Sequence, residues 1–147
     1  VSALPVTLAY NDFLVYNRVV KNNIFFFTEV NMKVSEIKEI LEAEVICGEE
    51  HLDRDVYTAC GSDMMSDVLA YVKEQAVLLS GLMNPQVVRT AEMMDMQCIV
   101  FVRGKKPDES IIELARDRDI VLLSTKYPMF ASCGMLYEKG LRGGAIK

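Results

Sequence analysis

Three short apolar runs dominate the pattern of this chain: Val77-Leu78-Leu79-Ser80-Gly81, Ile99-Val100-Phe101-Val102-Arg103-Gly104 and Val121-Leu122-Leu123-Ser124-Thr125. Their first residues lie 22 positions apart both times, and Pro85, Pro107 and Pro128 follow them in turn. Each run is continuously apolar rather than alternating, the pattern of a strand buried on both faces of a parallel sheet. Beyond each proline the apolar spacing becomes helical. The stripes are Val87, Val88, Ala91 and Met94; then Ile111, Leu114 and Ala115; then Met129 or Phe130, Cys133, Leu136, Tyr137 and Leu141. Proline suits a helix start because the N–H it lacks has no partner there; Asn84 is placed to cap the first of these helices. The predicted unit is strand–turn–proline–helix. Leucine-rich repeats have a similar period, but their Leu-x-x-Leu-x-Leu frame and Asn are absent.

Upstream, the pattern predicts a helix over 35–41 capped by Ser35, with Val34, Ile37, Ile40 and Leu41 on one face. A strand over 44–47 ends at Gly48, and a second strand over 55–60 ends at Gly61-Ser62. A helix follows with Met64, Met65, Val68, Leu69 and Val72 as its stripe, capped by Ser62 or Asp63. Alternating strands and helices of this kind make an α/β fold. The expectation is one compact domain over 32–147, with a mainly parallel central sheet of about five strands covered by helices. Right-handed crossovers then gather the three post-strand turns at one sheet edge. Open α/β sheets bind ligands at that edge.

Residues 1–31 read differently. They hold no Met, although nine follow, and Val1 fits a GTG start codon or a trimmed chain. Thr28-Glu29-Val30 back-translates to a purine-rich ribosome-binding sequence one codon before Met32. The expectation is a translated upstream leader, with natural translation starting at Met32. The alternative is a real N-terminal element packing Phe13, Leu14, Val15, Val19 and Val20. The segment lacks the charged–apolar–small order of a signal peptide.

The 147 residues carry a net charge of −5, with acidic and basic residues interleaved and no Trp. No basic stripe with aromatics points to nucleic acid. No apolar stretch approaches the ~20 residues of a membrane span. Cys47, Cys60, Cys98 and Cys133 form no C-x-x-C pair, and His51 is the single histidine. They are read as reduced thiols in a cytoplasmic protein, with no metal set and no cofactor.

Gly104-Lys105-Lys106 comes closest to a phosphate loop, but it lacks the preceding Gly and the following Ser/Thr. The candidate ligand site is therefore the post-strand turns: Ser80, Gly81, Asn84, Arg103, Gly104, Lys105, Ser124 and Thr125. Glycine admits close approach of backbone, hydroxyls donate and accept, and helix starts and cations favour an anion. The alternative is that small polar residues are there only because turns require them. A secondary candidate is Ser62, Asp63 and Ser66, ahead of the upstream helix.

The run from Gly104 through Ala115 (Gly-Lys-Lys-Pro-Asp-Glu-Ser-Ile-Ile-Glu-Leu-Ala), followed by Ile120-Val121-Leu122-Leu123-Ser124-Thr125, resembles the N-terminal domain of HPr kinase/phosphorylase. The wider pattern from Met32 through Gly144 is similar to stand-alone DRTGG domains, including the insert between CBS domains of some regulated pyrophosphatases. The family's Asp-Arg pair is missing after Ser80-Gly81, and Val102-Arg103-Gly104 stands where it has Thr-Gly-Gly. The kinase domain and its phosphate loop have no counterpart here. The resemblance implies a non-catalytic regulatory or protein-interaction module, often dimeric. Two readings follow: a self-associating module with a protein partner of unknown identity, or a sensor of a nucleotide or phosphorylated metabolite. A small enzyme ranks third, since no nucleophile–base pair stands out.

Overall fold

In the computed structural model, which describes residues 31–72 and 75–143, the periodic runs form a five-stranded sheet flanked by helices. The chain runs β1 (Met32–Lys33), α1 (Val34–Ile40), β2 (Glu44–Cys47), a 3-10 turn (Glu49–His51), β3 (Asp55–Val56), β4 (Thr58–Gly61) and α2 (Met65–Tyr71). It continues through β5 (Ala76–Ser80), α3 (Gln86–Met93), β6 (Cys98–Phe101), α4 (Glu109–Arg116), β7 (Val121–Ser124) and α5 (Met129–Glu138). Of the leader proposed for 1–31, only Asn31 lies within the described residues; its amide donates to the Asp55 carboxylate at 3.0 Å.

The sheet order is β2-β7-β6-β5-β4. β4 to β7 are mutually parallel, and β2 joins β7 antiparallel with an irregular register between Val45 and Cys47. Each parallel strand lies beside its predecessor, so crossovers of one hand set their helices on one face. That face holds Met65 and Val68 of α2, Val87, Val88 and Ala91 of α3, and Ile111 and Ala115 of α4, packed on Leu78, Ile99, Phe101 and Leu122. The other face holds Val34, Ile37 and Leu41 around α1 and Leu136 and Leu141 around α5, packed on Val77, Leu79, Val100 and Leu123. The alternation Val77/Leu79 against Leu78, and Val100 against Ile99/Phe101, shows why the runs are apolar throughout: both pleat faces are covered.

Several local expectations need correction. The strand read over 55–60 is two pieces. Met32 and Lys33 claim Val56 and Asp55 in a small antiparallel pair, and the chain then switches at Tyr57 to join the main sheet. Phe130 and Tyr137 do not belong to the α5 stripe; they are 92% and 59% exposed, and Ser132 and Leu136 are buried instead. Met64 and Leu69 are likewise exposed rather than part of the α2 stripe. The three prolines share a place in the unit but not a helix position. Pro85 is helical (φ −53°, ψ −21°), Pro107 precedes the cap Asp108, and Pro128 is itself an extended cap residue (φ −69°, ψ 165°).

Candidate ligand site at the carboxyl edge of the sheet

Because β4 to β7 are parallel, the loops leaving them meet at one edge, and their backbone groups interlock. After β6 the chain turns through Val102–Arg103–Gly104–Lys105, closed by the Lys105 N–H donating to the Val102 carbonyl at 3.3 Å. Both central residues are left-handed, Arg103 at φ 60° and Gly104 at φ 66°, the pattern of a type I′ turn. Glycine adopts that conformation freely; arginine does not. The turn is held from the β7–α5 loop, where the carbonyls of Tyr127 and Thr125 accept from Arg103 N–H (2.9 Å) and Gly104 N–H (2.7 Å). The Ser124 hydroxyl donates to the Lys105 carbonyl at 2.7 Å.

The turn aims its cations at the β5 loop. Lys105 Nζ donates to the Gly81 carbonyl at 2.8 Å. The Arg103 guanidinium lies across Gly81, where the Cβ of any other residue would overlap Nη2. Asp63, from the β4–α2 loop, completes the cluster. Its Oδ1 accepts from Gly81 N–H at 2.6 Å and from the Ser80 hydroxyl at 3.2 Å, and its Oδ2 stands 3.8 Å from Arg103 Nη2. Ser80 is fully buried, whereas the Asp63 and Arg103 side chains are about half exposed, at 51% and 45%. The exposed ion pair itself adds little stability.

The structure thus brings together Ser80, Gly81, Arg103, Gly104, Lys105 and Ser124, and adds Asp63 from the secondary set. It separates the others. The Thr125 hydroxyl is buried and donates to the Leu41 carbonyl at 2.6 Å, tying β7 to α1. Asn84 caps α3 through Oδ1, which accepts from Gln86 N–H at 2.9 Å. Ser62 is engaged with Met64, accepting from its N–H at 3.0 Å. Ser66 is exposed on α2. Asp63 is not the α2 cap that sequence suggested; Met64 holds that position without a side-chain bond. Tyr127, whose carbonyl holds Arg103, carries no side-chain signal that sequence reasoning could use, because its contribution is backbone.

The nucleophile inventory lies elsewhere. Burial pushes the thiols of Cys47, Cys60, Cys98 and Cys133 up from their ordinary value, away from reactive thiolates. His51 sits at the amino edge, 3.5 Å from the Asp119 carboxylate that precedes β7. Among the described residues, no group of three or more His, Cys, Asp or Glu is placed to hold a metal ion. No helix among them is long and apolar enough to cross a membrane.

The sequence model of the DRTGG domain matches residues 36–138. The chain belongs to the DRTGG-domain family. No curated protein sequence matches it. Among solved structures, this DRTGG domain is similar to the CBS and DRTGG domains of the regulatory region of Clostridium perfringens pyrophosphatase, a structure complexed with the activator diadenosine tetraphosphate. That likeness has a TM-score of 0.58 at 18% identity and covers 69% of this chain and 44% of the other. The DRTGG chain described here therefore spans less than half the length of that relative. In this DRTGG domain Arg103 takes the first left-handed position of the I′ turn, where glycine is favoured.

Proposed function

We propose that this DRTGG domain is a non-catalytic regulatory module that senses a small anionic ligand at the carboxyl edge of its sheet. One observation carries this reading. Gly81 N–H, the buried Ser80 hydroxyl and the Arg103 guanidinium, donors from two different loops, converge on a single negatively charged group beside Lys105. Such a donor set recognises a phosphate or carboxylate. The nucleotide activator in the related regulatory region supports a phosphorylated ligand class. The raised thiols and the distant His51 place no cysteine or histidine in the cluster. A thermal-shift screen with nucleotides and phosphorylated metabolites tests it, because a ligand of the folded form raises the melting temperature. The expected result is a stabilising hit that Arg103→Ala abolishes while circular dichroism stays unchanged. A hit indifferent to Arg103→Ala moves the site elsewhere.

Self-association is favoured by a separate observation. Phe130 and Tyr137 stand exposed one heptad apart on α5, with the exposed Gly134 between them. In a two-fold helix pair, Phe130 of one copy would pack over Gly134 of a second, an isologous contact. Light scattering of the wild type is expected to show a concentration-dependent dimer that Phe130→Ser dissociates. A monomer at all concentrations would remove this reading without touching the first.

A further inference from the structure

The group that fills the anion seat belongs to the protein itself. Asp63 places a carboxylate against the Gly81 N–H, the Ser80 hydroxyl and the Arg103 guanidinium, and it approaches from a loop that contributes no cation. The seat is built and half open. Its hydroxyl is fully buried and its amide is fixed at the end of β5, while the 45% exposed guanidinium extends from a left-handed Arg103 whose backbone N–H is bonded to Tyr127. The carboxylate is 51% exposed, on the short connection Ser62 to Met64 between β4 and α2, where the Ser62 N–H is bonded to the Leu79 carbonyl. The buried hydroxyl and the strand-end amide form the receptor, and the half-exposed carboxylate is the anion they hold.

We propose that Asp63 is an internal counter-anion, seated where a phosphate-type oxyanion binds, and that ligand binding displaces it. This rests on the reading of the carboxyl edge as a ligand site and adds its regulation. A phosphate brings three terminal oxygens where the carboxylate brings two, so it can take the same donors with an oxygen to spare. No bond is made or broken; one anion exchanges for another. Displacement frees the Asp63 side chain on the connection that leads into α2, whose Met65 and Val68 pack in the same apolar layer as α3.

The test is titration of the full chain with inorganic phosphate and pyrophosphate at fixed ionic strength, by calorimetry and thermal shift. Wild type, Asp63→Ala, Asp63→Asn, Arg103→Ala and the Asp63→Ala/Arg103→Ala pair are compared. Asp67→Asn serves as a control, because Asp67 is exposed and outside the cluster. The expected result is affinity at least tenfold higher in both Asp63 variants, loss of that gain in the double variant, and no gain in Asp67→Asn. Asp63→Asn keeps an acceptor for Gly81 N–H, so it covers the case in which the alanine variant fails to fold. Unchanged or weaker affinity in the Asp63 variants, with Arg103-dependent binding in the wild type, overturns the displacement and leaves the ligand site standing. A gain equal to that of Asp67→Asn overturns it as a bulk charge effect. Absence of binding in every variant overturns both the displacement and the site.

Discussion

Arg103 sits in a left-handed conformation (φ 60°) that costs an L residue about 1–2 kcal/mol. Glycine would relieve that strain and offset part of the gain through its own backbone entropy, roughly 0.5–1 kcal/mol. The half-exposed pair with Asp63 contributes at most a few tenths. Arg103→Gly is therefore expected to leave stability unchanged or raise it by about 0.5 kcal/mol, a melting-temperature gain of about 2–4 °C, while abolishing any anion-dependent shift. A fall in the unliganded melting temperature would show that the guanidinium is there for stability. The same left-handed conformation recurs at Glu42, Gln75, Asp95 and Asp119, so it is the aim of the Arg103 guanidinium at Gly81 and Asp63, not the strain alone, that singles out the position. Sequence alone showed Arg103 and Lys105 as turn cations, but not their aim. The direction of Arg103 follows from the I′ turn, and two consecutive left-handed residues are invisible when one of them is arginine.

At the scale of elements, the start of α4 was legible, whereas α1 and α2 are capped at Lys33 and Met64 rather than at Ser35 and at Ser62 or Asp63, and the helix ends were not legible. Asp108 caps α4 through Oδ1, which accepts from Ile111 N–H at 3.1 Å and from the Ser110 hydroxyl at 2.6 Å. The Ser110 and Ile111 bonds hold the Asp108 carboxyl below its ordinary value of 3.8. A depressed folded-state value means stability that is present above the unfolded value and is lost as pH falls through the folded one. Asp108→Ala should lower the melting temperature at pH 7 and flatten its decline between about pH 5 and pH 2. Equal acid slopes in the variant and the wild type would remove the cap from that role. Helix ends repeat one device. Ala43, Met96, Ile120 and Leu141 each send an N–H back to Lys38, Ala91, Ala115 and Leu136 at 2.8–3.1 Å, past a left-handed residue. That residue is glycine only at Gly140; elsewhere it is Glu42, Asp95 or Asp119, so the usual glycine signal was missing. The split at Tyr57 escaped notice for a different reason. The partner of β3 is Met32–Lys33, and a two-residue pairing leaves no periodic trace.

For the molecule as a whole, continuity of the apolar runs was enough to place the parallel sheet, because strands covered on both faces admit no polar alternation. The antiparallel β2 edge was not legible. Glu44-Val45-Ile46-Cys47 reads as a strand, but nothing in it states direction. The sheet's polarity explains why residues as far apart in sequence as Asp63, Gly81, Arg103 and Ser124 converge, and why His51 falls at the opposite edge. The amino edge has its own charged cleft, lined by Arg54, Glu92, Asp95, Arg118 and Asp119. There Arg118 is paired with Glu92 at 2.6 Å and Arg54 donates to the Asp119 carbonyl, as Arg103 and Lys105 are engaged with Asp63 and the Gly81 carbonyl at the carboxyl edge. The two edges give a direct choice of where an anion binds. Amide chemical-shift mapping of the wild-type chain during titration with pyrophosphate separates them. The expected result is saturable shifts at Gly81, Arg103, Gly104 and Lys105, with smaller ones along α2. Shifts centred on Gln97 and Arg118, or none at the carboxyl edge, would contradict a ligand site there.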